Sequence, residues 1–213
     1  MNYLLSALIG YLLGSIPTAY LVIKKAKRID ITEAGSNNVG AMNSYRVSKS
    51  KRLGLLVMLI DIGKGYLSVL ATEYIFGEIF IYPAVASIFA VFAHCFNPWL
   101  GFKGGRGLAT AAGISISIIP YVVVVWGLLW VMFFILKKNI LFSNISSTIF
   151  SLIVFFNTME IAVKYVKPTP ESLYTLVLLI TSVMIIIIIK HLEPLKELLF
   201  EKEIFRIKRD GKK

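Results

Sequence analysis

The sequence predicts an all-α polytopic membrane protein, and three observations carry that reading. Apolar residues make up 57% of the 213-residue chain and mean hydropathy is +0.76, where a soluble domain is about half apolar and about a quarter charged. The apolar residues fall in long runs separated by short polar stretches. The 23 Lys and Arg, against 12 Asp and Glu, lie almost entirely between those runs. Cations placed this way orient membrane spans by the positive-inside rule, so the net charge of +11 is not read as a nucleic-acid footprint. The single cysteine, Cys95, excludes an internal disulfide and a multi-cysteine metal site.

Seven apolar segments follow in order: residues 3–23, 53–72, 80–96, 108–119, 121–136, 140–163 and 173–189. The first lacks a basic start and runs without a small-residue cleavage pattern into Pro17, so it reads as a retained span. The block 108–136 has 29 residues. At helical rise it would be about 43 Å, long for one span and short for two. Charge decides. If the block turns at Pro120, 20 of the 23 cations fall on one side: residues 24–52, Lys103 with Arg106, Lys137 with Lys138, and the tail from Lys190. The other side receives Lys164 and Lys167 with Glu73, Glu78, Glu160 and Glu171. This asymmetry predicts about seven transmembrane helices including short fourth and fifth segments, N-terminus outside and C-terminus cytoplasmic, in one domain over residues 1–213. A short fourth helix is expected among its neighbours, with the loop before it sunk into the cytoplasmic half. Residues 190–213 mix acidic, basic and apolar side chains, as an amphipathic helix on the cytoplasmic surface would.

The chemistry is concentrated in two polar stretches on the cation-rich side. Residues 99–110 read WLGFKGGRGLAT. Gly104, Gly105 and Gly107 let the backbone present successive N–H groups to one anion. Lys103 and Arg106 add charge, and the helix predicted after Gly107 adds its positive end. Thr110 lies in its first turn. The plainer reading is a membrane-border loop whose cations meet lipid headgroups. Residues 33–46, EAGSNNVGAMNSYR, supply turn formers and short polar side chains in Gly35, Ser36, Asn38 and Asn43, with Arg46 as a planar fork for phosphate. An ordinary connecting loop has the same composition, but both stretches fall on one side, where two anion sites could face each other.

Asp61 and Lys64 are three residues apart on a predicted helix and are expected to pair, as structure or as part of the site. His94 is read as positioning the glycine loop, and His191 stands where the last span meets the cytoplasm. HExxH, paired-aspartate and GxSxG patterns are missing, and Trp99 and Lys196 occupy the positions an HxxxxD motif would need as Asp. Few carboxylates accompany the two stretches, which argues against Mg²⁺-dependent phosphotransfer; no metal and no cofactor are expected.

In this order and spacing, GSIPTAYL with AGSNNVGAMNSYR, then LIDIGKG, then AHCFNPWLGFKGGRGLAT resemble the three motifs of the bacterial acyl phosphate:glycerol-3-phosphate acyltransferases, the PlsY family. The resemblance covers residues 10–113, with His191 and the topology beyond. It implies transfer of a fatty acyl group from acyl phosphate to the 1-hydroxyl of sn-glycerol 3-phosphate, giving lysophosphatidate and phosphate in phospholipid synthesis, in a multi-pass protein of the bacterial inner membrane acting from the cytoplasmic side. On this reading Ser36, Arg46, Lys103 and His191 are catalytic, and Gly35, Asn38, Asn43, Gly104, Gly105, Arg106, Gly107 and Thr110 bind substrate. Acyl phosphate, glycerol 3-phosphate and membrane lipid are the partners, and a monomer is expected. Departures are Asn37 where the family has glycine, Met42 for threonine, Arg106 for lysine, and Pro194 for an asparagine after the final histidine. They leave open another polyol phosphate as acceptor. A transporter of a phosphorylated metabolite would also use cations and broken helices, but no inverted repeat accompanies them.

Overall fold

Close helix approach in this protein is set by glycine. Where Gly10 and Gly14 of α1 (Asn2–Gly14) meet α5 (Ile81–Cys95), a β-carbon on either glycine would overlap the backbone of Ala86 or Ala90. Gly65 of α4 (Lys51–Phe76) and Gly113 of α6 (Leu108–Ile118) form a second such seam, against Thr110 and Ile62. Lipid tails are as apolar as leucine, so membrane helices associate through small-residue contacts of this kind. The computed structural model describes residues 1–210, with side chains described through Lys196. In it α5 packs against α1, α4, α6 and α10 (Leu173–Asp210).

Two prolines break the apolar runs. The expected span over residues 3–23 is present as one apolar segment, Asn2–Lys27, but it is broken at Ser15–Pro17 into α1 and α2 (Thr18–Lys27). Proline lacks an N–H and disfavours helix in the residue before it. The second break is at Ile119, between α6 and α7 (Pro120–Lys137), with Pro120 in the first turn of the new helix. Ser115 Oγ closes that corner, donating to Ile119 O at 2.8 Å and accepting from Val123 N at 3.1 Å. The fourth apolar segment is short as expected, at 11 residues. The fifth is not: α7 has 18 residues and is long and apolar enough to cross a bilayer, because the helix takes in Pro120 and Lys137 at its ends.

Among the described residues six helical segments meet that length and hydropathy, and α6 is a shorter seventh. After α3 (Ala41–Ser48), α4 and α5, the chain runs through α6 and α7 to α8 (Ile140–Asn157), which ends before residue 163. A one-turn α9 (Met159–Ala162) and a 3₁₀ turn follow. α10 then continues well past residue 189 and includes Pro194. The amphipathic character expected for residues 190–213 rests largely on side chains outside the described residues.

Contacts sort the loops into two ends. At one, the Tyr82 ring meets Tyr3 and Phe76, Ile81 N–H donates to Glu171 at 3.2 Å, Lys167 N–H donates to Ile118 O at 2.9 Å, and Tyr121 stacks on Tyr165. Glu73, Glu78, Glu160, Lys164 and Lys167 belong to this end. The glycine loop, α2, α3 and the last turns of α7 lie at the opposite end, with the cations of residues 24–52, Lys103, Arg106, Lys137 and Lys138.

Candidate active site

The first polar loop is folded around one amide. Asn43, buried on α3, accepts from Ser36 N–H at 3.0 Å and donates to Ala34 O at 2.9 Å and Asn38 O at 3.0 Å. Asn43 is therefore occupied in shaping the loop, as is Gly35, whose φ is +65° and whose would-be β-carbon overlaps that amide. The bracket leaves Ser36 exposed, with Arg46 exposed on the last turn of α3. Asn38 is half-buried, folded over Gly40. Asn37 has φ of +55°. That left-handed conformation favours glycine and tolerates asparagine next best, so the residue that departs from the PlsY pattern keeps its backbone. Asn37→Gly is expected to retain activity within about twofold. Asn37→Val carries a left-handed penalty of about 1–2 kcal/mol, and thermal denaturation should show a lowered Tm for Val alone.

The glycine loop is seated on the end of α5. Gly105 N–H donates to His94 O at 3.1 Å. A β-carbon on Gly104 would overlap the carbonyls of His94 and Cys95, and one on Gly105 would overlap the His94 ring. Gly107, at φ +84°, starts α6 with its would-be β-carbon 2.9 Å from Cys95 Sγ and 3.2 Å from Ile187 of α10. Lys103 projects exposed from the loop. Nearby Asp30 accepts from the Thr32 hydroxyl and N–H, which hold its carboxyl below the usual range, with Lys24 and Lys103 adding to the effect.

Val39 N–H reaches Gly104 O at 3.4 Å, and Leu100 packs with Ala19, Ile23, Val39 and Val57, so the two polar loops are joined. The expectation that they share one side holds at the level of direct contact. On the far flank, His191 is buried with Nδ1 2.8 Å from Ile187 O. A carbonyl only accepts, so Nδ1 carries the hydrogen and Nε2 is left as an acceptor, buried and without a hydrogen-bond partner among the described residues. Arg106, half-buried, is close enough to act on His191 electrostatically. Thr110 Oγ1, on the first turn of α6, is another buried polar atom without a hydrogen bond among the described residues. Arg106, Gly107 and His191 thus come together where α5, α6 and α10 meet, while Thr110 sets its backbone against Gly65 of α4.

Two features were not foreseen from the residues. The polar groups Asn97, Trp99 and Lys64 all grip the break at Ser15–Ile16, a role that only Pro17 in an apolar run could have suggested. An apolar groove, open to the surface, runs between α6, α7 and α10. Its walls begin at Leu108 and Ile187, beside Gly107, and extend to Ile119 and Leu179.

Comparison with known proteins gives one answer. The family model for glycerol-3-phosphate acyltransferase matches residues 4–201. A glycerol-3-phosphate acyltransferase of Pelagibacter ubique is 40% identical over 154 residues, 72% of this chain and 77% of the relative. One from Streptococcus thermophilus is 32% identical over 203 residues, 95% and 92% of the two chains. The crystal structure of PlsY (YgiH), an integral membrane glycerol 3-phosphate acyltransferase, in its glycerol 3-phosphate form matches with TM-score 0.77 and 29% identity over 94% of each chain. Its lysophosphatidic acid form matches with TM-score 0.76 and 27% identity over 94% of this chain and 93% of that one. By sequence along nearly its whole length, and by fold, the chain belongs to the glycerol-3-phosphate acyltransferase family.

Proposed function

We propose that this glycerol-3-phosphate acyltransferase takes its acyl group from acyl phosphate and transfers it to the 1-hydroxyl of sn-glycerol 3-phosphate, without metal or cofactor. The observation that carries the reading is the juxtaposition of an apolar groove with a glycine loop. A molecule with a phosphate head and an alkyl tail fits both at once. The tail lies along Leu108, Ala111, Ala112 and Ile180, and the head meets Gly104, Gly105, Gly107 and the α6 N-terminus. Glycerol 3-phosphate binds from the joined loop side, its dianion met by Arg46 and Lys103. Ser36 and the bare Nε2 of His191 serve as its hydroxyl-orienting groups.

Acyl phosphate is already activated, so the protein's tasks are to align two anions and stabilise the phosphate that departs. The acceptor hydroxyl oxygen bonds to the acyl carbon, the bond from that carbon to the phosphate oxygen breaks, and the leaving phosphate takes the hydroxyl proton. The charge asymmetry between the two ends supports an N-terminus outside, a C-terminus in the cytoplasm of a bacterial inner membrane, and substrate entry from the cytoplasm. The unit that acts is a monomer. The test is phosphate release by the purified protein, with palmitoyl phosphate and glycerol 3-phosphate together and each alone. Release with lysophosphatidate formed only when both are present supports the reading, and no release with palmitoyl phosphate overturns the donor.

The groove also sets an expected result. From Leu108 to Ile119 is about 16 Å at helical rise, room for roughly a dozen methylenes of an extended chain with bonds of about 1.5 Å. Ile180 is two turns of α10 from Ile187, about 10 Å along it. Ile180→Trp is expected to lower kcat/KM for palmitoyl phosphate about tenfold, the scale of overpacking a filled space. Octanoyl phosphate, whose chain stops short of residue 180, should stay within about threefold. Parallel loss with both donors would place the chain elsewhere.

A further inference from the structure

The break between α1 and α2 takes the carbonyls of Ser15 and Ile16 out of the helical ladder inside a membrane protein, where an unmet polar group is costly. Ile16 O accepts locally from Thr18 N–H at 2.9 Å and Thr18 Oγ1 at 3.4 Å, and both carbonyls also accept from side chains elsewhere in the fold. Asn97 Nδ2 donates to Ser15 O at 2.7 Å, and Lys64 Nζ donates to Ile16 O at 3.1 Å. Trp99 Nε1 adds a bond to Ser15 Oγ at 3.1 Å. Lys64 is 4% exposed, and its charge is balanced by Asp61, 2.9 Å away. His94 Nδ1 stands 3.7 Å from the same carboxylate oxygen, and its other face lies against Gly105. Asp61, Lys64, His94 and Asn97, with Thr18 and Gly104, line one small cavity directly behind the glycine loop.

A buried ion pair is weak evidence for stability, since an apolar replacement of both partners is often neutral or better. The placement of this one is more telling. Its lysine and the neighbouring Asn97 hold a backbone corner that forms the back wall of the loop on which the phosphate reading rests. We infer that Lys64 and Asn97 are positioning residues: by clamping the Ser15–Ile16 carbonyls they set the seat of the glycine loop, with Asp61 as the counter-ion and His94 as the prop under Gly105. They touch no substrate and act through the loop.

The experiment compares two neutral pairs. Asp61→Asn with Lys64→Gln keeps a donor at position 64, and Asp61→Asn with Lys64→Met removes it. Both lack the buried charges, so a merely structural role predicts equal turnover. A clamp predicts that the Gln pair keeps kcat within about fivefold while the Met pair, at similar Tm and glycerol 3-phosphate KM, loses about a hundredfold, the scale of a loop displaced by about 1 Å. Asn97→Ser gives a second measurement without any charge. Serine still caps the 3₁₀ turn Pro98–Leu100 but no longer reaches Ser15. It too should lower kcat at least about tenfold with Tm preserved. Equal kcat in the two neutral pairs, or wild-type kcat for Asn97→Ser, overturns the inference. All comparisons are made against the active wild-type enzyme, so absence of phosphate release in that enzyme would instead count against the proposed donor.

Discussion

Gly105→Ala is expected to lower kcat/KM about a hundredfold, as misplacement of a catalytic loop by about 1 Å does. The added methyl has only the His94 ring to enter, and that ring is held in a buried space beside Asp61 and Lys64. Either the ring leaves, disturbing the charge cluster, or the loop lifts away from α5 and breaks the bond from Gly105 N–H to His94 O. Overpacking of this kind costs about 1–3 kcal/mol. In a chain of this size that lowers Tm by about 2–4 °C for each kcal/mol. Gly63→Ala is the matched control, because a β-carbon there meets nothing within 4 Å and the residue lies inside α4. A helix interior gains about 1 kcal/mol from that change. Phosphate release and thermal denaturation of the two variants side by side make the test; wild-type activity in Gly105→Ala would mean the loop is not seated on His94 when it works.

Removing a site cation should cost as much or more. Lys103 and Arg46 are exposed, so neither stabilises the fold through burial, and Lys103→Ala and Arg46→Ala are expected to keep their Tm. On the proposed reading, two phosphates and an acyl chain cover them and each faces an anion in a poorly solvated space. Truncating one partner of such a charged contact costs roughly 2–5 kcal/mol, about 30-fold to several-thousand-fold in kcat/KM. Steady-state kinetics with glycerol 3-phosphate varied at fixed palmitoyl phosphate would assign the loss to the acceptor or donor. Turnover within a few fold of wild type for both variants would remove them from the anion site. Rapid mixing that trapped acyl label on Ser36 would replace direct transfer with a covalent intermediate.

Much of this site is local in origin and hence visible along the chain. Three motifs in fixed order, two of them loops with glycines at turns and cations beside them and the third inside α4, resembled those of a phosphate-handling family of membrane enzymes. Charge counting, rather than hydropathy, separated α6 from α7, because 29 apolar residues without a polar gap carry no boundary except Pro120. The same proline rule applied at Pro17, yet the run over residues 3–23 reads as one span. A membrane helix tolerates a proline if its freed carbonyls find donors; Thr18 supplies some locally, and others come from Lys64 and Asn97, 48 and 82 residues along the chain.

Composition and pattern by themselves determined that this chain lives in a membrane and which loops carry the cations, and they located the stretches where anion chemistry is proposed. These follow from the transfer free energy of each residue and the turn preferences of glycine, asparagine and proline, quantities that belong to short stretches. Packing alone decided the rest. It turned Asn43 from a candidate ligand into the bracket of its own loop, left His191 with one nitrogen held and one bare, and opened an apolar groove beside Gly107. Each of those depends on which distant backbone or side chain arrives within 3 or 4 Å, and that is settled only when glycine seams such as Gly10 with Ala86 and Gly113 with Ile62 bring whole helices together.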